Sequence, residues 1–333
     1  MFILGIESSC DDTAAAVLEN NRILSNVLNC QDAVHAKFGG VVPELASRKH
    51  LQSINVVVEN ALIDAGVKLS NIDLIAATQG PGLIGSLLVG FSYAKALAHV
   101  RGIPLVGVDH MAGHILSVFL GEEKPSFPYI ALIVSGGTSS IFLVEEFDQF
   151  RLLGRTRDDA AGEAFDKVAK LLNLPYPGGP HVAAMAATGN PQYVRFPRAW
   201  LEEKSLDFSF SGLKTAVLNH LSQQKLKNSE LPVSDICASF QAAVIDVLVE
   251  KSVNAAQLHN VRTLVIGGGV SANKRLREVF TGRCQEVGIS FHAPRSEYCT
   301  DNAAMIAFAG YHKYIKNGSL DKDEDVYSRS QLG

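Results

Sequence analysis

His110 and His114 lie four residues apart in Gly107-Val-Asp-His-Met-Ala-Gly-His114. Imidazole is the side chain best suited to bind a metal or move a proton near neutral pH. A helix entered after the apolar run Ile103 to Val108 would put both rings on one face, at metal-ligand spacing. One helix would then supply two ligands, and a carboxylate from elsewhere, such as Asp301, would complete a site. The pair also reads as two polar residues at a helix start. Glu7, Asp11 and Asp12 follow the first apolar run; they could hold a metal-bound phosphate or act as a base, or Asp11 could cap neighbouring backbone. Three glycine turns, Gly80-Pro-Gly82, Gly136-Gly137 and Gly267-Gly-Gly269, also follow apolar runs. Glycine there either meets a turn's demand for positive φ or leaves room for backbone N–H groups to approach phosphate.

The elements that would position these residues alternate along the chain. Phe2 to Ile6, Ala14 to Leu18 and Ile23 to Leu28 read as three strands joined by polar turns. Glu44 to about Ala65 has helical periodicity, with Leu45, Leu51, Ile54, Val58 and Leu62 as its apolar stripe. A strand at Leu74 to Thr78, an apolar helix to about His99 and the strand Ile103 to Val108 follow. Leu83 to Ala98 is apolar nearly all round, which fits a fully buried core helix or a contact with a partner. The pattern then restarts with Tyr129 to Val134, Ile141 to Val144 and Phe150 to Leu153. Later, Thr263 to Ile266 runs through glycines into a helix beginning near Asn273. The expected fold is therefore α/β, two duplicated halves with a cleft between them, residues 1–120 and 121–333, with an insertion at about 175–232 rich in Pro, Gly and polar residues. Asp158, Asp159 and Glu163 precede the apolar face of Ala164, Phe165, Val168 and Leu171, so some of them are expected to cap that helix through its N-terminal dipole, whereas Asp166 lies inside it.

The whole chain narrows the function classes. Its 333 residues, 47% hydrophobic and 19% charged, are enough for a large core or two medium ones. A net charge of -4 carries no global signature of nucleic-acid or membrane binding, and the basic clusters at Arg48-Lys49, Arg151 to Arg157, Arg195 to Arg198 and Lys274 to Arg277 are local. Five scattered cysteines without a C-x-x-C pair argue against a disulfide framework and against a thiolate zinc site, and fit a cytoplasmic protein. The N-terminal run lacks a basic region and reaches Glu7 after six residues, so it reads as a strand, not a signal peptide, and no apolar run approaches a membrane span. About the last dozen residues, with Asp321-Lys-Asp-Glu-Asp325 and Ser328-Arg-Ser-Gln-Leu-Gly333, read as a polar tail.

Eight motifs in order carry a family resemblance: Gly5-Ile-Glu-Ser-Ser-Cys-Asp-Asp-Thr13, Gly39-Gly-Val-Val-Pro-Glu-Leu-Ala-Ser-Arg48, Gly80-Pro-Gly-Leu83, His110-Met-Ala-Gly-His114, Ser135-Gly-Gly137, Asp207-Phe-Ser-Phe-Ser-Gly-Leu-Lys-Thr215, Ala238-Ser-Phe-Gln241 and Gly267-Gly-Gly-Val-Ser-Ala-Asn273. Together they resemble the TsaD family of bacterial tRNA N6-adenosine threonylcarbamoyltransferases. The resemblance implies an actin-like ATPase (ASKHA) fold. It also implies transfer of threonylcarbamoyl from threonylcarbamoyl-AMP to N6 of adenosine 37 in tRNAs that read ANN codons. His110, His114 and Asp301 match the family's metal ligands, for iron or sometimes zinc. Ile133, Val134, Ser135, Gly136, Gly137, Asp166, Gly179 and Asn273 match its contacts to the nucleotide, threonylcarbamoyl-AMP or ATP, in the cleft. The implied partners are tRNA, a TsaB-type paralogous subunit, a TsaE-type ATPase and a separate synthase of the adenylate. Asp11 is the candidate base.

Two positions depart from the family pattern: Thr138 stands where many bacterial relatives carry His, and His181-Val-Ala-Ala184 lacks an acidic residue common there. Three rival readings remain distinguishable. A zinc peptidase would need Glu beside the first histidine, where this chain has Met111. A sugar-kinase-like ATPase of the same fold would not call for paired histidine ligands. A noncatalytic scaffold would have lost ligands that this chain keeps.

Overall fold

The computed structural model describes residues 1–122, 124–202, 205–226, 231–319 and 324–332. In chain order the elements are β1 (Phe2–Glu7), β2 (Thr13–Glu19), β3 (Arg22–Asn29), α1 (Asp32–His35), α2 (Pro43–Ala65), β4 (Leu74–Gly80), α3 (Ile84–Arg101), β5 (Leu105–Asp109) and α4 (His110–Leu116). They continue with β6 (Tyr129–Val134), β7 (Ser139–Glu146), β8 (Gln149–Arg155), α5 (Ala161–Leu171), α6 (Gly178–Ala186), α7 (Ser211–Leu226), α8 (Val233–Leu258), β9 (Thr263–Gly267), α9 (Lys274–Val287), β10 (Ser290–His292) and α10 (Ala303–Asn317).

Two five-stranded sheets carry the fold, in the orders β3-β2-β1-β4-β5 and β10-β9-β6-β7-β8. Read from the opposite edge, the second repeats the first, with β6 in the place of β1 and β9 in the place of β4. Each is mixed: β1 runs antiparallel to β2 and parallel to β4, and β6 runs antiparallel to β7 and parallel to β9. The restart expected at Tyr129 is thus a repeat of topology as well as of hydrophobic pattern. The chain forms two compact units: residues 1–124 with 145–150 and 294–333, and residues 125–144 with 151–293. Residues 321–323 and 333 of the expected polar tail lie outside the described residues, whereas 324–332 belong to the first unit.

In the first unit the sheet is covered by α2 and α3 on one side, where Leu4, Ile6, Ile54, Val58, Ile75 and Phe91 form a core. Withdrawing each such side chain from water contributes about 1.5–3 kcal/mol. The phase of α2 differs from the expected stripe. Ile54 and Val58 are buried, along with Ala46, His50, Val57 and Ala61, but Leu51 is 68% exposed. The small residue Ala61 packs in the core against the sheet, so leucine content alone misplaces the face. Nor is α3 buried all round: Leu87, Gly90, Phe91, Ala94 and Ala98 face inward, and Leu88 and Val100 are exposed.

The helix α10 packs against the sheet of this unit with almost no space between them. A Cβ added at Gly5 of β1 would overlap the backbone carbonyl of Ala303 and the methyl group of Ala307. Because Ala303 begins α10 two residues after Asp301, glycine at position 5 sets where that carboxylate sits. Gly5→Ala is therefore expected to destabilise the protein by about 1–3 kcal/mol, the usual cost of overpacking against an atom that cannot rotate away. Urea unfolding of the two proteins would read this directly, and coincident midpoints would contradict it.

A candidate metal centre and a glycine-lined turn

The candidate metal ligands come together at the carboxyl ends of the parallel strands in the first unit, the usual place for ligands in such sheets. Glu7 ends β1, Thr78 lies near the end of β4, and Asp109 ends β5 and caps α4 by accepting the Met111 N–H at 2.9 Å. The short helix α4 realises the spacing of its histidines. Their rings lie edge to face with centroids 4.6 Å apart, and both Nε2 atoms converge on Oδ1 of Asp301, at 3.4 Å from His110 and 3.1 Å from His114. Among the described residues these three side chains form a group that could hold a metal, with ligand atoms within 4.8 Å of one another.

On the far side of His110, Nδ1 lies 2.9 Å from Oε2 of Glu7 and 3.2 Å from Oγ of Ser9. Glu7 is fully buried and also accepts from the Thr78 hydroxyl at 2.7 Å and from the Ser9 N–H. A carboxylate behind a ligating imidazole fixes the ring's tautomer and aims its other nitrogen at the metal. Residue types and spacing singled out Glu7 as one of three acids in a turn; its partnership with His110, 103 residues away, emerges only in the fold.

The electrostatics describe a site built for positive charge. Burial disfavours charge on His110, but Glu7 and then Asp301 more than offset it and hold its pKa well above the usual imidazole value. Burial likewise opposes charge on Asp301, yet the two histidines bring its carboxyl well below the usual range. Burial keeps His114 below its ordinary value, and its buried Nδ1 has no hydrogen-bond partner. Two carboxylates facing one imidazolium leave room for a further cation charge. A metal ion in place of the His110 Nε2 proton would supply it, and two imidazoles with one carboxylate are a fitting donor set for a first-row transition metal.

Asp11 and Asp12 occupy the turn between β1 and β2. Burial, reinforced by the charge of Asp301, raises both carboxyls, and Asp12 is pushed up to about 7. One Asp12 oxygen, Oδ1, is buried without a hydrogen-bond partner.

In the second unit, Ile133 and Val134 are fully buried at the end of β6, and Gly136 and Gly137 are exposed in the turn that follows. That turn is held from two sides. The Ser135 carbonyl accepts the Gly162 N–H at 3.2 Å, at the start of α5, and Gly268, with φ of 84°, presses on the Val134 carbonyl so closely that a Cβ would overlap it. The two glycine turns expected to serve a nucleotide therefore meet at Val134. Asn273 caps α9 through the Leu276 N–H, and its amide donates to Gln241 at 2.8 Å. Gly179, at the start of α6, has open space where a Cβ would be.

Of the acids around α5, Glu163 lies in its first turn, and the others serve other contacts. Asp158 does not cap α5; it accepts from the Phe210 and Ser211 N–H groups and the Ser209 and Ser211 hydroxyls, and so holds the start of α7. Asp159 and Glu163 pair with Lys167, at 2.7 and 2.9 Å. Asp166 accepts the Gly178 N–H at 2.7 Å, which ties α6 to α5.

A sequence profile described as "TsaD: tRNA N6-adenosine threonylcarbamoyltransferase" matches residues 22–308. The chain belongs to the TsaD family. It is 62% identical to the tRNA N6-adenosine threonylcarbamoyltransferase of Desulfotalea psychrophila, covering all of this chain and 98% of that one. It is 52% identical to the enzyme of the same name from Syntrophus aciditrophicus, with the same coverage. The fold is also that of solved structures at low identity. HypF in its phosphate- and nucleotide-bound form matches 96% of this chain and 47% of its own, with a TM-score of 0.63 at 13% identity. The activator of 2-hydroxyisocaproyl-CoA dehydratase from Clostridium difficile matches 97% of this chain and all of its own, at 0.53 and 14%. The chain is thus a threonylcarbamoyltransferase of t6A formation with an actin-like fold, and among its described residues no helix is long and apolar enough to cross a membrane.

Two consequences follow from the buried acids. Glu7→Gln keeps the shape but removes the charge behind His110, so zinc or cobalt affinity is expected to fall about 10- to 100-fold; an unchanged titration would deny Glu7 that role. For Asp12, folding raises the pKa, so between about pH 4 and 7 the folded protein retains a proton that the unfolded chain has released. Its contribution to stability is present below that window and is lost as pH rises through it. In metal-free protein, Asp12→Asn should flatten the decline in urea midpoint from pH 5 to 8, and parallel profiles would contradict this.

Proposed function

We propose that the acceptor is N6 of adenosine 37 in tRNAs reading ANN codons and that the donor is threonylcarbamoyl-AMP made by a separate synthase. The observation that carries the catalytic part of this reading is the convergence of His110 and His114 on Asp301, backed by Glu7. These three ligands would hold iron, or alternatively zinc, and when bound there the metal supplies Lewis-acid stabilisation of charge that develops as AMP leaves. In the reaction the N6–carbamoyl bond forms, the bond from the carbamoyl carbon to the phosphate oxygen breaks, and an N6 proton must leave. Asp11 is assigned to take that proton at a carboxylate oxygen, a role suited to a half-buried carboxyl whose pKa burial has raised. Ile133, Val134, Ser135, Gly136 and Gly137, with Asp166, Gly179 and Asn273, are assigned to the nucleotide. The exposed Gly136 and Gly137 leave their backbone open to phosphate oxygens.

The peptidase reading finds no support at position 111, where an apolar methionine is 4% exposed beside the first histidine. A TsaB-type subunit and a TsaE-type ATPase complete the proposed assembly in the cytoplasm, and five free cysteines suit that compartment. Exposed Ile84 and Leu88 on α3 offer an apolar face for a protein partner.

Labelled threonylcarbamoyl supplied as its adenylate, with unmodified tRNA and the partner subunits, should enter adenosine 37 with wild type and fail to do so with His110→Ala. In single turnover, Asp11→Asn with unchanged metal content should be slower by about 100-fold or more. Transfer at the wild-type rate by either variant would remove that residue from the mechanism.

A further inference from the structure

Asp109 has two jobs that its own helix does not explain. One oxygen, Oδ1, caps α4, but the other, Oδ2, accepts three further donors, all from the segment 324–332: the Tyr327 hydroxyl at 3.1 Å, the Ser330 hydroxyl at 2.9 Å and the Gln331 N–H at 3.3 Å. Asp109 is only 6% exposed, so its carboxylate depends on these donors to satisfy its second oxygen. The segment is anchored in turn on the end of β4. Tyr327 N–H donates to the Gln79 carbonyl at 3.1 Å, the Gln79 amide donates to the Asp325 carbonyl at 2.9 Å and to Glu324 at 3.2 Å, and Lys95 of α3 donates to the Glu324 carbonyl. Val326 packs against the core of the first unit, and the Tyr327 ring fills the space that a side chain at Gly80 would take.

We propose that the segment 324–332 is a strap that positions the metal helix. By gripping Asp109 through Tyr327, Ser330 and Gln331, it holds the cap from which α4 starts, and so sets the aim of His110 and His114 at Asp301. The helix has seven residues and places one ligand directly after its cap. A small rotation of Asp109 is therefore passed straight to His110. The strap makes Tyr327 and Ser330 positioning residues for metal binding; neither touches a ligand or the reacting atoms. This rests on the reading of His110, His114 and Asp301 as metal ligands.

The test is titration of metal-stripped, full-length protein with Co(II), read from the visible absorption bands of the bound ion. Wild type, His114→Ala, the double variant Tyr327→Phe/Ser330→Ala and a chain ending at Gly318 are compared. Wild type should bind one equivalent and His114→Ala should bind far more weakly. The double variant, which removes two hydroxyl oxygens, should lose about tenfold in affinity with altered band intensities, at the low end of outer-shell effects. The shortened chain should lose at least as much, and a peptide of residues 319–333 added in excess should restore it. Equal binding by wild type and His114→Ala would overturn the metal assignment itself. Wild-type affinity in both strap variants would overturn the strap alone. Weak binding by the shortened chain beside wild-type affinity in the double variant would overturn the grip on Asp109.

Discussion

The line Glu7–His110–Asp301, buried at its Glu7 end, is the constraint on which the first unit depends. Two carboxylates are held on either side of one imidazole by three distant parts of the chain, and the fully buried charge of Glu7 is offset by that of His110. Such an arrangement survives only if its geometry is maintained. Much of the surrounding structure does that: Thr78 and Ser9 hold Glu7, Asp109 holds the start of α4, and the close packing of α10 on Gly5 delivers Asp301. Replacing the His110 Nε2 proton by a divalent metal ion would supply the one positive charge that two carboxylates and one imidazolium lack, which is why the site fits a cation.

The duplication gives one topology two turns of different composition. The turn after β1 is acidic, with Glu7, Asp11 and Asp12, and the equivalent turn after β6 is Ser135-Gly-Gly-Thr138. An acidic turn at the carboxyl end of a strand attracts cations, whereas glycines there expose N–H groups to anions. The second unit protects its turn by packing: α5 approaches from one side and Gly268 from the other, so the exposed glycines sit on a rigid frame. Thr138 takes part through its backbone, accepting the Ser135 N–H at 2.8 Å.

Long-range polar contacts do most of the fine positioning elsewhere. Lys251 in α8 is 2% exposed and donates to the carbonyls of Trp200, Ser205 and Asp207, which fastens the stretch expected to be an insertion. In two of the local basic clusters, Arg157 is engaged with Asp207 and Arg198 with Asp246, so part of those two serves the fold.

What the amino-acid order determined by itself was whatever depends on period and neighbourhood. The two strand–turn–strand openings, the face shared by His110 and His114 and the glycine turns follow from distances of a few residues, where the helix and strand repeats are fixed by backbone geometry. Asp301 was within reach only as a carboxylate from elsewhere and through the family motif. The long helix α8 was illegible as a period because it is buried on nearly every face. Tertiary structure alone decided that Glu7 stands behind His110, that Leu51 faces outward, that Asp158 and Asp166 serve α7 and α6, and that residues 294–319 and 324–332 return to the first unit. Each of these is a choice among partners far apart in the chain. A carboxylate's local sequence says that it needs donors or a cation, and only the packed fold says which ones arrive.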